Sequence, residues 1–105
     1  MKFERLNPLT GMVASHAPAM RAPDIAAVCE RAQAAFPTWA AIGPTARRAM
    51  LMKAANSLEA RAADFITAMM DEIGATEGWA RFNLALAANM LRESGAHHAS
   101  GRRGN

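Results

Sequence analysis

The segment from Trp79 to Leu91 constrains this chain more than any other. Trp79, Phe82, Leu86 and Met90 recur at steps of three and four, and Leu84, Ala87, Ala88 and Leu91 form a second stripe beside them. A helix apolar on two faces needs neighbours on both. The rest of the chain offers two further helical regions and a thin hairpin, too little to enclose it. With 105 residues, 51% of them apolar and 20% charged, the chain is one small domain at most, neither disordered in its body nor fibrous. Alanine is abundant, so the core buries little area per residue at about 25 cal/mol per Å². A large enzyme with its own cofactor domain is excluded by size; a portion of one is not.

The pattern along the chain is mainly α with a short N-terminal β-hairpin. Residues 3–17 read as the hairpin: Asn7-Pro8-Leu9-Thr10-Gly11 is dense in turn formers, with Phe3 to Leu6 and Met12 to His16 as flanks. A first helix is expected over 23–36, opened by Pro23 and Asp24, carrying Ile25, Val28, Ala32, Ala35 and Phe36 inward, and stopped by Pro37. Trp39 then falls just beyond it as a packing anchor. A second helical region, 44–73, starts at Gly43-Pro44 and repeats Leu51, Ala55, Leu58, Ala62, Phe65, Ile66, Met69 and Ile73 at helical spacing. It is either one long helix or two with a break near Glu59 to Ala63, since globular helices average about a dozen residues. Gly74 ends it as a left-handed cap, and Thr76 with Glu77 opens a third helix over 76–93. From Ser94 the texture changes to a His/Gly/Ser/Arg stretch without period, and residues 94–105 are expected to be a disordered tail.

Charge and cysteine usage narrow the function classes. Of the formal charge of +3, two units come from Arg102 and Arg103 in the tail, so the basic balance is not the footprint of a nucleic-acid-binding face. The lone Cys29 excludes a disulfide framework and a multi-cysteine zinc site, and beside Val28 it reads as a small buried hydrophobe. No apolar run is long enough for a bilayer, the opening MKFERLNPLTG is not a signal peptide, and a cytoplasmic setting is expected. His97 and His98 lack the rigid support of a metal site, His16 stands alone, and Arg47-Arg48 reads as a solvated pair. Met50, Met52, Met69 and Met90 read as core, with a partner-binding groove as the other possibility. From the residues alone the chain is a small helical protein without a self-contained active site.

Four stretches in order resemble the N-terminal part of the NAD(P)-dependent aldehyde dehydrogenase family. They are Asn7-Pro8-Leu9-Thr10-Gly11; Asp24 through Ala32, Ala35-Phe36-Pro37-Thr38-Trp39; Arg48-Ala49-Met50-Leu51 with Ala54 to Arg61; and Asp71-Glu72-Ile73-Gly74. The resemblance covers about residues 3 to 93, and Gly74 to Asn83 is similar to the subgroup acting on aromatic aldehydes such as salicylaldehyde, vanillin or benzaldehyde. It implies a fragment of the α/β aldehyde dehydrogenase fold, with residues 1–93 as the family portion and 94–105 as a non-matching tail. It implies NAD or NADP as cofactor, an aldehyde as substrate, a homo-oligomeric parent enzyme, and no nucleic-acid or membrane partner. The family's catalytic cysteine and glutamate and its dinucleotide loop lie in later segments, and Cys29 matches no part of that motif. The resemblance places Trp79, Asn83 and Leu86 on one face lining the aldehyde entrance, and assigns no catalytic, cofactor or metal residue.

The expectation that follows is an inactive, loosely packed or aggregating N-terminal fragment of an oxidoreductase, whose tail arises from a shifted or prematurely ended reading frame. The alternatives are a small helical interaction module with no catalysis and, more remotely, a DNA-binding helical domain.

Overall fold

The computed structural model describes the backbone of residues 1–100 and the side chains of residues 1–96. Two strands, β1 (Lys2–Leu6) and β2 (Val13–Pro18), pair antiparallel with Lys2 opposite Pro18 and Arg5 opposite Ser15, and the register shifts between Arg5 and Leu6. The turn between them is built by Asn7, whose Oδ1 accepts the Leu9 and Thr10 N–H groups at 2.8 and 3.3 Å. Gly11 closes it at φ 73°, a left-handed conformation that favours glycine, and donates its N–H to the Asn7 carbonyl at 2.8 Å.

Helix α1 (Ala22–Ala41) starts where expected: Asp24 accepts the Arg21 backbone N–H at 2.9 Å, and this bond, with the Arg21 side chain second, holds its carboxyl below the usual range. It does not stop at Pro37. The helix runs to Ala41 and carries Trp39 within it, and the Ile42 N–H closes it on the Trp39 carbonyl. Pro37 cannot donate to the Gln33 carbonyl, and the helix continues past it with none of its residues buried. Its expected inward stripe is exposed as well, with Ile25, Val28 and Phe36 open to solvent.

Of the two arrangements the 44–73 pattern allows, the chain adopts the broken one. Helix α2 (Pro44–Ala60) and helix α3 (Ala62–Ile73) are separated at Arg61, whose φ of −105° and ψ of 26° leave the helical region. Gly74 caps α3 at φ 69°, its N–H reaching the Met70 carbonyl at 3.1 Å. Helix α4 (Glu77–Ser100) opens on Thr76, whose Oγ1 accepts the Trp79 N–H at 3.2 Å. The expected end at Arg92-Glu93 is passed, and residues 94–100 of the supposed disordered tail continue the helix. Gly95 is buried there against Arg48 of α2, whose Cγ, carbonyl oxygen and Cα lie at ordinary contact distance from where a Cβ would stand. Residues 101–105, the rest of that expectation, lie outside the described residues.

The core is small. Ile66, Ala80 and Leu84 are its buried members, with Leu58, Ala62 and Met69 packed on them, and Ala55 and Ala88 are also fully enclosed. It lies where α2 and α3 meet one face of α4, and α1 does not pack extensively on any element. The accessible surface is 8010 Å² for a mass of 11.2 kDa, against about 5,700 Å² for a folded monomer of that mass. The Cα radius of gyration is 17.7 Å, where a domain of this length measures about 13 Å.

Candidate functional site

Helix α4 divides into two faces. Ala80, Leu84 and Ala88 turn inward at steps of four, the two alanines small enough for neighbouring helices to approach closely and Leu84 filling the core. On the other side Trp79, Phe82, Leu86 and Met90 stand 55%, 57%, 45% and 61% exposed. The covered face is thus Ala80, Leu84 and Ala88 rather than the expected stripe of Leu84, Ala87, Ala88 and Leu91, in which Ala87 is exposed and Leu91 half-buried.

The open face carries the expected entrance residues. The Asn83 side-chain amide donates to the Trp79 carbonyl at 2.9 Å, one turn back, which fixes its orientation along the helix. The indole of Trp79 and the ring of Phe82 stack at 5.8 Å with an interplanar angle of 30°. Phe82 is a contributor that the entrance assignment leaves out; its place in the Trp79 stripe is the signal that points to it. Leu86 follows one turn after Phe82. Asn83 is half-buried and also borders a groove of about 370 Å³ lined by Leu58, Phe65, Met69, Leu84 and Ala87. Trp79, Asn83 and Phe82 are thereby joined directly, and Leu86 extends the same face.

Polar clusters elsewhere are structural. Glu72, at the end of α3, accepts the Ser15 hydroxyl at 2.6 Å and the Arg5 guanidinium at 3.1 Å. The Ser15 bond is the main cause that holds the Glu72 carboxyl below the usual range, burial opposes it, and Arg5 adds to the lowering. Arg92 on α4 reaches Asn56 at 3.0 Å and also pairs with Glu59, tying α4 to α2. Neither cluster has a signal in the sequence, because the partners are far apart along the chain.

The other candidates do not assemble. Cys29 is exposed on α1, not buried as expected, as is Val28 beside it in a helix with no buried residue. His16 stands 3.7 Å from Glu4 on the neighbouring strand. Met69 packs on the core, whereas Met50 and Met90 are exposed and so form no common core. The side chains of His97 and His98 lie outside the described residues. Among the described residues no group of three or more His, Cys, Asp or Glu could hold a metal ion. They do not fit a dinucleotide either: a dinucleotide crevice needs parallel strands with a glycine-rich turn, and the sheet here is a two-stranded antiparallel hairpin. No described helix is long and apolar enough to cross a membrane.

The family model for the aldehyde dehydrogenase family matches residues 1–104, and the chain belongs to that family. It is 51% identical over 94 residues to the vanillin dehydrogenase of Pseudomonas sp. strain HR199, covering 90% of this chain and 19% of the relative. It is 37% identical over 92 residues to the salicylaldehyde dehydrogenase of Pseudomonas putida, covering 88% of this chain and 19% of the relative. The crystal structure of a salicylaldehyde dehydrogenase from Pseudomonas putida complexed with salicylaldehyde superposes with a TM-score of 0.89 at 34% identity, over 92% of this chain and 20% of that one. An NAD-dependent benzaldehyde dehydrogenase from Corynebacterium glutamicum also superposes with a TM-score of 0.89, at 26% identity, over 94% of this chain and 22% of that one. The chain thus spans about one fifth of the relatives it matches.

Proposed function

We propose that this chain is the N-terminal portion of an aromatic aldehyde dehydrogenase, in which the open face of α4 forms one wall of the substrate entrance. The observation that carries the reading is the exposed stack of Trp79 on Phe82, bordered by Asn83 and Leu86, in a segment similar to vanillin and salicylaldehyde dehydrogenases. A planar apolar wall suits a planar aromatic aldehyde, since aromatic pairs in offset contact gain about 0.5–1.5 kcal/mol beyond area burial. The Asn83 amide supplies a polar group at the edge of that wall. The reaction so assigned to the whole enzyme is oxidation of an aldehyde to a carboxylic acid, with NAD or NADP accepting the hydride. The nucleophile, the base and the dinucleotide site belong to polypeptide outside this segment. The isolated chain is therefore inactive by this reading.

The test is a chimera in which residues 1–93 replace the matching segment of the Pseudomonas vanillin dehydrogenase. It is expected to fold and to oxidise vanillin with NAD(P). A chimera that folds, with the parent's melting behaviour, but oxidises no aromatic aldehyde contradicts the reading. So does turnover of vanillin by the 105-residue chain alone.

A further inference from the structure

Asn83 sits where two surfaces of α4 meet. On one side is the wall of Trp79 and Phe82, and on the other is the groove of about 370 Å³ whose lining includes Leu58, Phe65 and Met69. Its amide is held in one orientation, because Nδ2 donates to the Trp79 carbonyl at 2.9 Å. A carbonyl oxygen only accepts, so the amide cannot turn over without losing that bond. Oδ1 therefore points away from the Trp79 carbonyl, and among the described residues it accepts no hydrogen bond and is not enclosed. Asn83 thus presents an oriented, neutral acceptor amid apolar surface. In such surroundings a hydrogen bond is stronger than in open water, and a site built to bond a substrate hydroxyl rejects the analogue that lacks it.

Resting on the reading above, we infer that Asn83 determines specificity within the aromatic aldehydes: its Oδ1 accepts the O–H of a hydroxyl on the substrate ring, and the class so selected is the phenolic aldehydes. The place of that hydroxyl follows from the layout of the site. The nucleophile belongs to polypeptide outside this segment, so the aldehyde carbon points away from α4, and the end of the ring opposite the carbonyl is the part that reaches Asn83. A para hydroxyl meets that condition. An ortho hydroxyl does not, since it lies beside the carbonyl and bonds to it internally.

The experiment uses the chimera described above and compares vanillin with 3-methoxybenzaldehyde, which lacks only the para hydroxyl. Asn83→Leu keeps the approximate size of the side chain and removes the acceptor. It is expected to lower kcat/KM for vanillin by about three- to tenfold, the worth of one hydrogen bond, and to change the value for 3-methoxybenzaldehyde by less than about twofold. Taking the ratio of variant to unmodified chimera for each substrate cancels the difference in ring reactivity. Asn83→Ala, which favours the helix, shows the same selectivity and serves if the leucine variant does not fold. Equal losses for both substrates, or no loss for vanillin, overturn the inference and leave the functional reading standing, since the unmodified chimera then still oxidises vanillin. A folded unmodified chimera that oxidises no aromatic aldehyde overturns both.

Discussion

Ser15 and Glu72 are 57 positions apart, and the Ser15 hydroxyl donates to the Glu72 carboxylate at 2.6 Å. This bond seats the hairpin on the last turn of α3, and Arg5, opposite Ser15 across the strand pair, holds the second carboxylate oxygen. Ser15→Ala is expected to speed amide exchange in β1 and β2 of the chimera while leaving the core of α2, α3 and α4 protected. Because the folded carboxyl of Glu72 is held below its ordinary value, its contribution is present above that value and is lost as pH falls through the lower folded one. Hairpin protection factors in the unmodified chimera, which are corrected for the intrinsic exchange rate at each pH, should therefore fall on acidification below about pH 4, and Glu72→Gln should remove that component of the pH dependence.

Gly74→Ala is expected to destabilise the junction between α3 and α4. The position has φ 69°, and an added Cβ falls 2.9 Å from Cγ of Pro8, a ring atom with little freedom to move, and 3.3 Å from Leu9. The left-handed conformation alone costs about 1–2 kcal/mol for a residue with a Cβ. The thermal midpoint of the chimera checks this, and Gly43→Ala, with open space around it, serves as the comparison.

Ala80→Leu and Ala88→Leu should each destabilise the chimera by about 1–3 kcal/mol through overpacking, because both positions are completely enclosed. Denaturant midpoints report the change. Met90→Leu, on the open side of the same helix, should shift the midpoint little if any.

The entrance assignment predicts a selective kinetic effect. Trp79→Ala and Leu86→Ala in the chimera should lower kcat/KM for vanillin by about two- to tenfold, the equivalent of one lost aromatic or apolar contact. The change should sit mainly in KM and should be smaller for a short aliphatic aldehyde. Equal losses for both substrates would assign these side chains to packing instead.

Much of the fold was legible because its signals are local. The Asn7 to Gly11 turn, the Gly74 cap and the Thr76 cap each depend on residues within a few positions of one another. The break at Arg61 was one of two readings, since nothing in the residues from Glu59 to Ala63 forbids a continuous helix. Pro37 does not end α1, because the cost of a lost backbone bond is lowest in a helix with no buried residue. The end of α4 is not legible because the residues from Ser94 onward carry no apolar period, whereas in space Gly95 is buried against Arg48. At the candidate site, the spacing of Trp79, Asn83 and Leu86 put them on one face. The Trp79–Phe82 stack and the double-sided position of Asn83 depend on how α4 meets α2 and α3, which periodicity does not encode.

On the reading proposed above, the apolar groups exposed on α1, Ile25, Val28 and Phe36, belong against further aldehyde dehydrogenase polypeptide. Scanning calorimetry of the purified 105-residue chain tests it most directly. No single cooperative transition is expected, because the small core at Ile66, Ala80 and Leu84 is too little to unite the hairpin and α1 with α2, α3 and α4. A sharp two-state transition with an enthalpy near about 70 kcal/mol, the value for a self-sufficient domain of this length, would contradict it.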